Sequence, residues 1–255
     1  MRYHIDTIPI WDAFKTDCEC PLCKIYDKCE TEFISSALGG SVMEPDTRIE
    51  VNKNGFCQTH LTQLYAQQNR LGLALMAHSH LKELIGAVSE QAGKLEQAMA
   101  ADEQKSALKR AAQTVAKNAL YLSQVDSLTD LVYARTQSCF ICNRLKTAMA
   151  RYVETVAAMY VNETEFVRAF EGCKGFCLEH FADLAACGRR YLSGKQQRAF
   201  LRALLKVEQD NLARIEQELE WYTLKFDYRN ADKPWGNSRD AVERTLAKLR
   251  QWKKP

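Results

Sequence analysis

Apolar residues recur at spacings of three and four through most of the chain, the signature of helices that bury one face. From Leu61 to Met99 the stripe runs through Leu61, Leu64, Tyr65, Leu71, Leu75, Leu81, Leu84, Ile85 and Val88. From Ser106 to Arg135 it runs through Leu108, Ala111, Val115, Ala119, Leu122, Val125, Leu128 and Val132. The pattern predicts further helices over Arg144 to Phe170, Leu178 to Tyr191, Lys195 to Phe226 and Ser238 to Trp252. Strand-like alternation is nearly confined to Arg48-Ile-Glu-Val51. The five prolines stand at 9, 21, 45, 234 and 255, so residues 46 to 233 hold none. A turn-rich β fold does not leave such an interval, and the expected class is all-α.

Composition narrows the class of function. A chain of 255 residues that is 46% hydrophobic can bury a sizeable core. With 35 basic against 32 acidic residues and a formal charge of +3, no strong field draws it to nucleic acid or anionic lipid. The short basic stretch Arg250-Gln-Trp-Lys-Lys254 does not change that. No apolar run reaches membrane-spanning length and the first residues lack a signal-peptide core, so a cytoplasmic location is expected.

The chemistry lies in one spacing written twice. Cys20-Pro-Leu-Cys23 is followed by Gly55-Phe-Cys57-Gln-Thr-His60, and Cys139-Phe-Ile-Cys142 by Gly175-Phe-Cys177-Leu-Glu-His180. Comparing the chain with itself at an offset of 119 or 120 residues marks eight positions as one class: Cys20, Cys23, Cys57, His60, Cys139, Cys142, Cys177 and His180. Cys18, Cys29, Cys173 and Cys187 have no cysteine counterpart. The glycine and phenylalanine before each third cysteine also repeat, and so does a leucine four residues past each histidine, Leu64 and Leu184.

Three thiolates and one imidazole per copy make a closed tetrahedral set. The expectation is two structural zinc sites per chain, with an iron–sulfur cluster as the alternative, since thiolates hold both. Helix N-termini at Cys57 and Cys177 would favour the thiolate through the helix dipole, and Lys53 and Lys174 are close enough in sequence to offset site charge. The spacing leaves open whether Cys20 and Cys23 meet Cys57 and His60 or, exchanged, Cys177 and His180. The repeat suggests a first helical half over 1–105, a second over 106–230, and a C-terminal loop and helix over 231–255.

Several strings together resemble the bacterial domain-of-unknown-function family 6062: Asp17-Cys-Glu-Cys-Pro-Leu-Cys23, Met43-Glu-Pro-Asp-Thr-Arg48, the two Gly-Phe-Cys-x-x-His motifs, Phe226-Asp-Tyr-Arg-Asn230 and Lys233-Pro-Trp-Gly-Asn-Ser238. The resemblance covers nearly the whole chain. It implies a bacterial, cytoplasmic protein with paired metal-type motifs, and no activity.

Three other places carry candidate chemistry. Glu44, Asp46 and Arg48 would line a pocket beside the first Cys/His set, or else form a capped turn. His78, His80 and Glu83 lie on one helix, where a lone helical pair does not complete a metal site. Asp227, Arg229 and Trp235 belong to an aromatic, charged segment that would cover a binding face or strap itself onto the core. No phosphate loop, nucleophile elbow, His-Glu-x-x-His or dinucleotide fingerprint is present, so no motif supports an enzyme. The expected role is a zinc-stabilised helical scaffold for a protein or small-ligand partner. The alternative is redox or metal handling through the four non-repeating thiols.

Overall fold

The computed structural model describes residues 4–104 and 120–250. Among these the chain is helical without a strand, as the periodicity predicts. The elements are α1 (His4–Lys15), α2 (Pro21–Leu38), α3 (Pro45–Asn54), α4 (Gln58–Ala66), α5 (Arg70–Glu103), α6 (Leu120–Thr136), α7 (Phe140–Asn162), α8 (Thr164–Glu171), α9 (Leu178–Tyr191), α10 (Gly194–Leu224) and α11 (Ala241–Arg250), with short 3-10 turns between some of them.

Several boundaries differ from the apolar pattern, each for a local reason. The stripe from Leu61 to Met99 is cut at Gln67–Asn69, where Gln68 takes φ 62 and Asn69 caps α5 by accepting from the Gly72 N–H. The Asn69 side chain also donates to the Leu38 carbonyl at 2.6 Å, so a tertiary bond fixes the break. The stretch Arg144 to Phe170 divides at Glu163, whose backbone is extended at φ −125, ψ 105. The alternating Arg48–Val51 is helical within α3, which Pro45 starts at its first position. Leu178–Tyr191 is a single helix with the expected bounds. Leu108, Ala111, Val115 and Ala119 lie outside the described residues, as do the 105/106 boundary, Trp252 and most of the basic tail.

The chain forms two compact units, one of Met1–Cys29 with Lys146–Pro255 and one of Glu30–Leu145. They divide the chain differently from the halves read off the repeat. In the first unit an aromatic core forms around Phe170. Its ring centroid lies 5.1 Å from Tyr160, 5.4 Å from Phe176 and 5.6 Å from Phe200, and Phe166 sits 4.9 Å from Phe14. Truncating such a buried ring costs roughly 3–5 kcal/mol. Phe176 directly precedes Cys177, so this core also seats a ligand.

In the second unit α5 packs along α6 and against α3. Buried side chains include Ile34, Leu38, Val51, Leu64, Met76, Phe140 and Ile141. The Phe56 ring, just before Cys57, stands edge-on to Phe140, just after Cys139, with centroids 6.2 Å apart. Leu64 and Leu184, the repeated leucines, are both fully buried.

Candidate metal centres

Each compact unit contains one Cys₃His set, and each set takes its two pairs from opposite halves of the sequence. Cys20, Cys23, Cys177 and His180 come together in the first unit, and Cys57, His60, Cys139 and Cys142 in the second. The donor atoms of each set lie within 4.8 Å of one another. The arrangement is therefore the exchanged one of the two the sequence allows.

Local structure explains the convergence. Cys57 and Cys177 are the N-caps of α4 and α9, while Cys20 and Cys139 immediately precede α2 and α7. The Leu61 N–H bonds the Cys57 carbonyl at 2.9 Å, and Phe181 bonds Cys177 at 2.8 Å, as first helical bonds should. Every ligand pair thus occupies a first helical turn, and two helix N-termini meet at each set. Their dipoles favour thiolate over thiol.

In the first set, His180 Nδ1 lies 3.2 Å from Cys177 Sγ and 3.5 Å from the sulfurs of both Cys20 and Cys23. Cys23 and Cys177 Sγ are 3.6 Å apart, and the Cys23 N–H reaches Cys20 Sγ at 3.4 Å. In the second set, His60 Nδ1 lies 3.2 Å from Cys57 Sγ and 3.4 Å from both Cys139 and Cys142 Sγ. Cys57 and Cys142 Sγ are 3.8 Å apart. All ten cysteines are free of disulfides.

Protons are shared unevenly in both sets. Hydrogen bonds with Cys20 and Cys23 hold the Cys177 thiol far below its ordinary range, while bonds to Cys177 and Cys20 push Cys23 far above it. Burial works against a charged His180, yet its contacts with Cys177 and Cys20 raise it to about 10. His60 is likewise raised to about 10 against burial, by Cys139 and Glu30. Burial also opposes the Cys139 thiolate, but His60 and backbone N–H groups lower it to about 6. A cation entering either set takes the place of the shared protons.

The supporting side chains differ between the sets. Around the first, Glu19 accepts from Arg214 at 2.5 Å and from Arg244 at 3.3 Å, with the fully buried Lys248 ammonium 3.7 Å away. Lys248 donates to the Lys174 carbonyl, and the Phe176 N–H donates to buried Glu208 at 2.9 Å. Helices α10 and α11 therefore hold the residues directly before Cys20 and Cys177. Beside this set opens a cleft of about 760 Å³, walled by Cys18, Cys20, Cys23, Arg214, Glu218 and Arg239 among others.

Around the second set, Glu30 Oε1 lies 3.4 Å from His60 Nε2, on the ring edge away from the sulfurs. A carboxylate accepting from Nε2 would set the tautomer that leaves Nδ1 free for a metal. The carbonyls ending α3 are bonded by His80 and Arg135: Asn52 O to His80 Nδ1 at 2.8 Å, and Lys53 O to Arg135 at 2.7 Å. The Phe140 N–H then donates to the Gly55 carbonyl at 2.9 Å, joining the two turns. Pro21, at the position matching Phe140, has no N–H to do the same in the first set.

The two lead-in glycines are constrained. Gly55 has φ 61 and Gly175 φ 77, and a Cβ on either would fall 2.9 Å from a side-chain atom, His80 Nε2 or Glu208 Oε2.

The other candidates lie apart from the Cys/His sets. Glu44 and Asp46 are exposed at the start of α3, where Glu44 makes no side-chain cap bond, and Arg48 donates to the Val42 carbonyl. His80 and Glu83 both fasten Asn52, the latter through a 2.8 Å bond, and His78 is exposed. Asp227 accepts from the Arg229 backbone and side chain in one exposed pair. Trp235 packs 5.7 Å from Tyr222, and the buried Lys225 ammonium donates to the Asn230, Ala231 and Lys233 carbonyls at 2.6–2.8 Å. That segment is strapped down. Lys174 pairs with Asp17, and Lys53 is exposed.

Sequence reasoning passed over Glu19, Glu30, Glu208, Arg214, Arg244 and Lys248. Glu19 was the findable one, lying between two cysteines of the first motif. Among the described residues no helix is long and apolar enough to cross a membrane. Comparison with curated proteins and with solved structures gives no match. The chain does match, over residues 1–254, the family described as a family of unknown function, DUF6062, and with both of its Cys/His motif pairs assembled it belongs to that family.

Proposed function

We propose that each Cys₃His set binds one zinc ion, two per chain, and that the zincs are closed structural centres of a cytoplasmic helical scaffold that binds another protein. The observation that supports this most is donor spacing. A tetrahedral zinc with bonds of about 2.3 Å to sulfur and 2.0–2.1 Å to nitrogen places sulfurs about 3.8 Å apart and sulfur about 3.6 Å from nitrogen. One sulfur–sulfur pair in each set stands at 3.6 or 3.8 Å, the sulfur–nitrogen distances are 3.2–3.5 Å, and all donor atoms of a set lie within 4.8 Å of one another. A cluster of several irons adds metal–metal distances between its terminal thiolates, which favours a single ion here.

Four protein donors leave no position for substrate or an activated water, so the metals stabilise the fold. The scaffold reading draws on α5, which exposes Leu71, Leu81 and Ile85 by 72%, 53% and 57%. A small polar ligand in the 760 Å³ cleft is the second reading, favoured by that cleft alone. Redox exchange is disfavoured. Cys29 and Cys187 are buried, and burial raises Cys187 to about 11 and Cys173 to about 12, away from the thiolate such chemistry needs. The shared donor pattern also suggests that halves 1–105 and 106–230 are pseudo-repeats that exchanged ligand pairs, with 231–255 added to them.

Elemental analysis and an absorption spectrum of anaerobically purified protein test the metal reading. Two zincs per chain without visible absorption support it, and iron with sulfide overturns it in favour of electron transfer or sensing. Replacing Leu81 and Ile85 by Lys tests the face: metal content and helicity should hold, and their loss would place both side chains in a core.

A further inference from the structure

The two sets have the same donors and unequal cover. In the first unit Cys20, Cys177 and His180 are buried and Cys23 is half-buried. In the second, His60 and Cys139 are buried, Cys57 is half-buried and Cys142 is exposed. Cys142 is the one donor of the eight whose side chain stands open to solvent.

The surroundings add to this difference. In the first unit the sulfurs lie among Asp17, Glu19, Lys174, Arg214 and Arg244, charges tied to one another in ion pairs. Beside Cys142, neutral side chains bond one another. Asn54 Oδ1 accepts from Ser138 at 2.8 Å and from Asn143 at 3.2 Å. These bonds hold the turn that carries Cys142, the exposed residue of the set, without covering it.

Resting on the zinc reading above, we propose that Cys142 is the covalent modification site of this protein, open to soft electrophiles and peroxides, and that its reaction empties the second unit's metal site before the first. A zinc-bound thiolate keeps a nucleophilic lone pair, and access decides which one reacts. With iodoacetamide the Cys142 sulfur forms a bond to the methylene carbon and iodide leaves. The resulting thioether is neutral and a poor zinc ligand.

With hydrogen peroxide the sulfur takes one oxygen as the O–O bond breaks and hydroxide leaves, giving the sulfenic acid. The Cys57 thiolate, 3.8 Å away, then attacks that sulfur and expels a second hydroxide as the disulfide forms. Two electrons pass from two thiolates to one peroxide, and zinc loses two of its four donors.

The test uses the full chain, with bound zinc measured before any reagent, so that the zinc reading is judged first and separately. Substoichiometric iodoacetamide followed by peptide mass spectrometry gives the order of labelling, and a colorimetric chelator follows zinc release under peroxide. The expected result is first label on Cys142 and one zinc released about tenfold faster than the other. First label on Cys23 or Cys18, or both zincs leaving in one phase, overturns the proposal with the zinc reading intact. Cys142→Ser should keep one zinc and only the slow phase, and a surviving fast phase also overturns it. If that variant does not fold, the labelling order in the unaltered chain still decides.

Discussion

Adding a single methyl group at Gly55 or Gly175 tests how each metal centre is built. Gly55 sits at φ 61, ψ −154, a region that only glycine populates readily. An alanine there costs about 1–3 kcal/mol in backbone strain. Its Cβ would also meet His80 Nε2 at 2.9 Å and displace the ring from its 2.8 Å bond to Asn52 O, a further loss of about 1 kcal/mol. A total near 3 kcal/mol lowers the melting temperature by roughly 6–12 °C, at about 2–4 °C per kcal/mol. Gly175→Ala acts on the other site, against Glu208 Oε2 at 2.9 Å and Lys248 Nζ at 3.0 Å.

The control is Gly86→Ala in α5, where nothing lies within 4 Å of the new Cβ. Relief of helix-interior glycine should stabilise it by about 0.5–1 kcal/mol. Melting by circular dichroism, with zinc competition against a chelator, reads all three variants. Gly55→Ala should weaken one zinc and Gly175→Ala the other. If Gly55→Ala melts like Gly86→Ala and keeps both zincs equally tightly, the account of the lead-in glycines is wrong.

Cys20→Ser and Cys177→Ser should each lose one zinc and together lose no more, whereas Cys20→Ser with Cys57→Ser should lose both; the opposite stoichiometry refutes the exchanged pairing. Tyr160, whose hydroxyl donates to Glu171 at 3.2 Å, is raised to about 12 by burial and by that carboxylate. Its protonated form favours the fold, a contribution fully present below the unfolded value near 10 and lost as pH rises through 12. Wild type should therefore lose stability relative to Tyr160→Phe between pH 10 and 12, and parallel denaturation curves would contradict this. Lys225→Met removes one buried ammonium from three carbonyls, costing roughly 2–3 kcal/mol. It should speed amide exchange across Ala231 and Lys233 and alter Trp235 fluorescence, and unchanged exchange would count against the strap.

Helices were legible because their apolar stripes are long, and Leu178–Tyr191 was found with both ends in place. What the stripe misses is a break that leaves the apolar phase nearly intact. Gln68 at positive φ and Asn69 bonding the Leu38 carbonyl are tertiary decisions. The same holds for His80 and Glu83, which share a face as the spacing says and both bond Asn52. The eight Cys and His residues that gather into the two sets were legible through self-comparison, since their spacing is written twice while the other cysteines have no counterpart. Glu30 behind His60 has no counterpart pattern to betray it.

The exchange of ligand pairs was closed to sequence reasoning for a quantitative reason. The local pairing would join Cys23 to Cys57 and Cys142 to Cys177, closing loops of 34 and 35 residues. The observed pairing joins Cys23 to Cys177 across 154 residues and His60 to Cys139 across 79. Loop-closure entropy charges only about 1.3 and 0.7 kcal/mol for those increases, as three-halves RT times the logarithm of the length ratio. Zinc binding in small domains contributes on the order of 10–16 kcal/mol, so chain separation is too weak to select a partner. The selection rests with packing, in contacts such as Phe56 against Phe140 and the Phe140 N–H on Gly55 O, which exist only once distant helices have met. On the zinc reading proposed above, each metal would report on contacts that are long-range in sequence, and metal loss should loosen the helices around its own site while the other set persists.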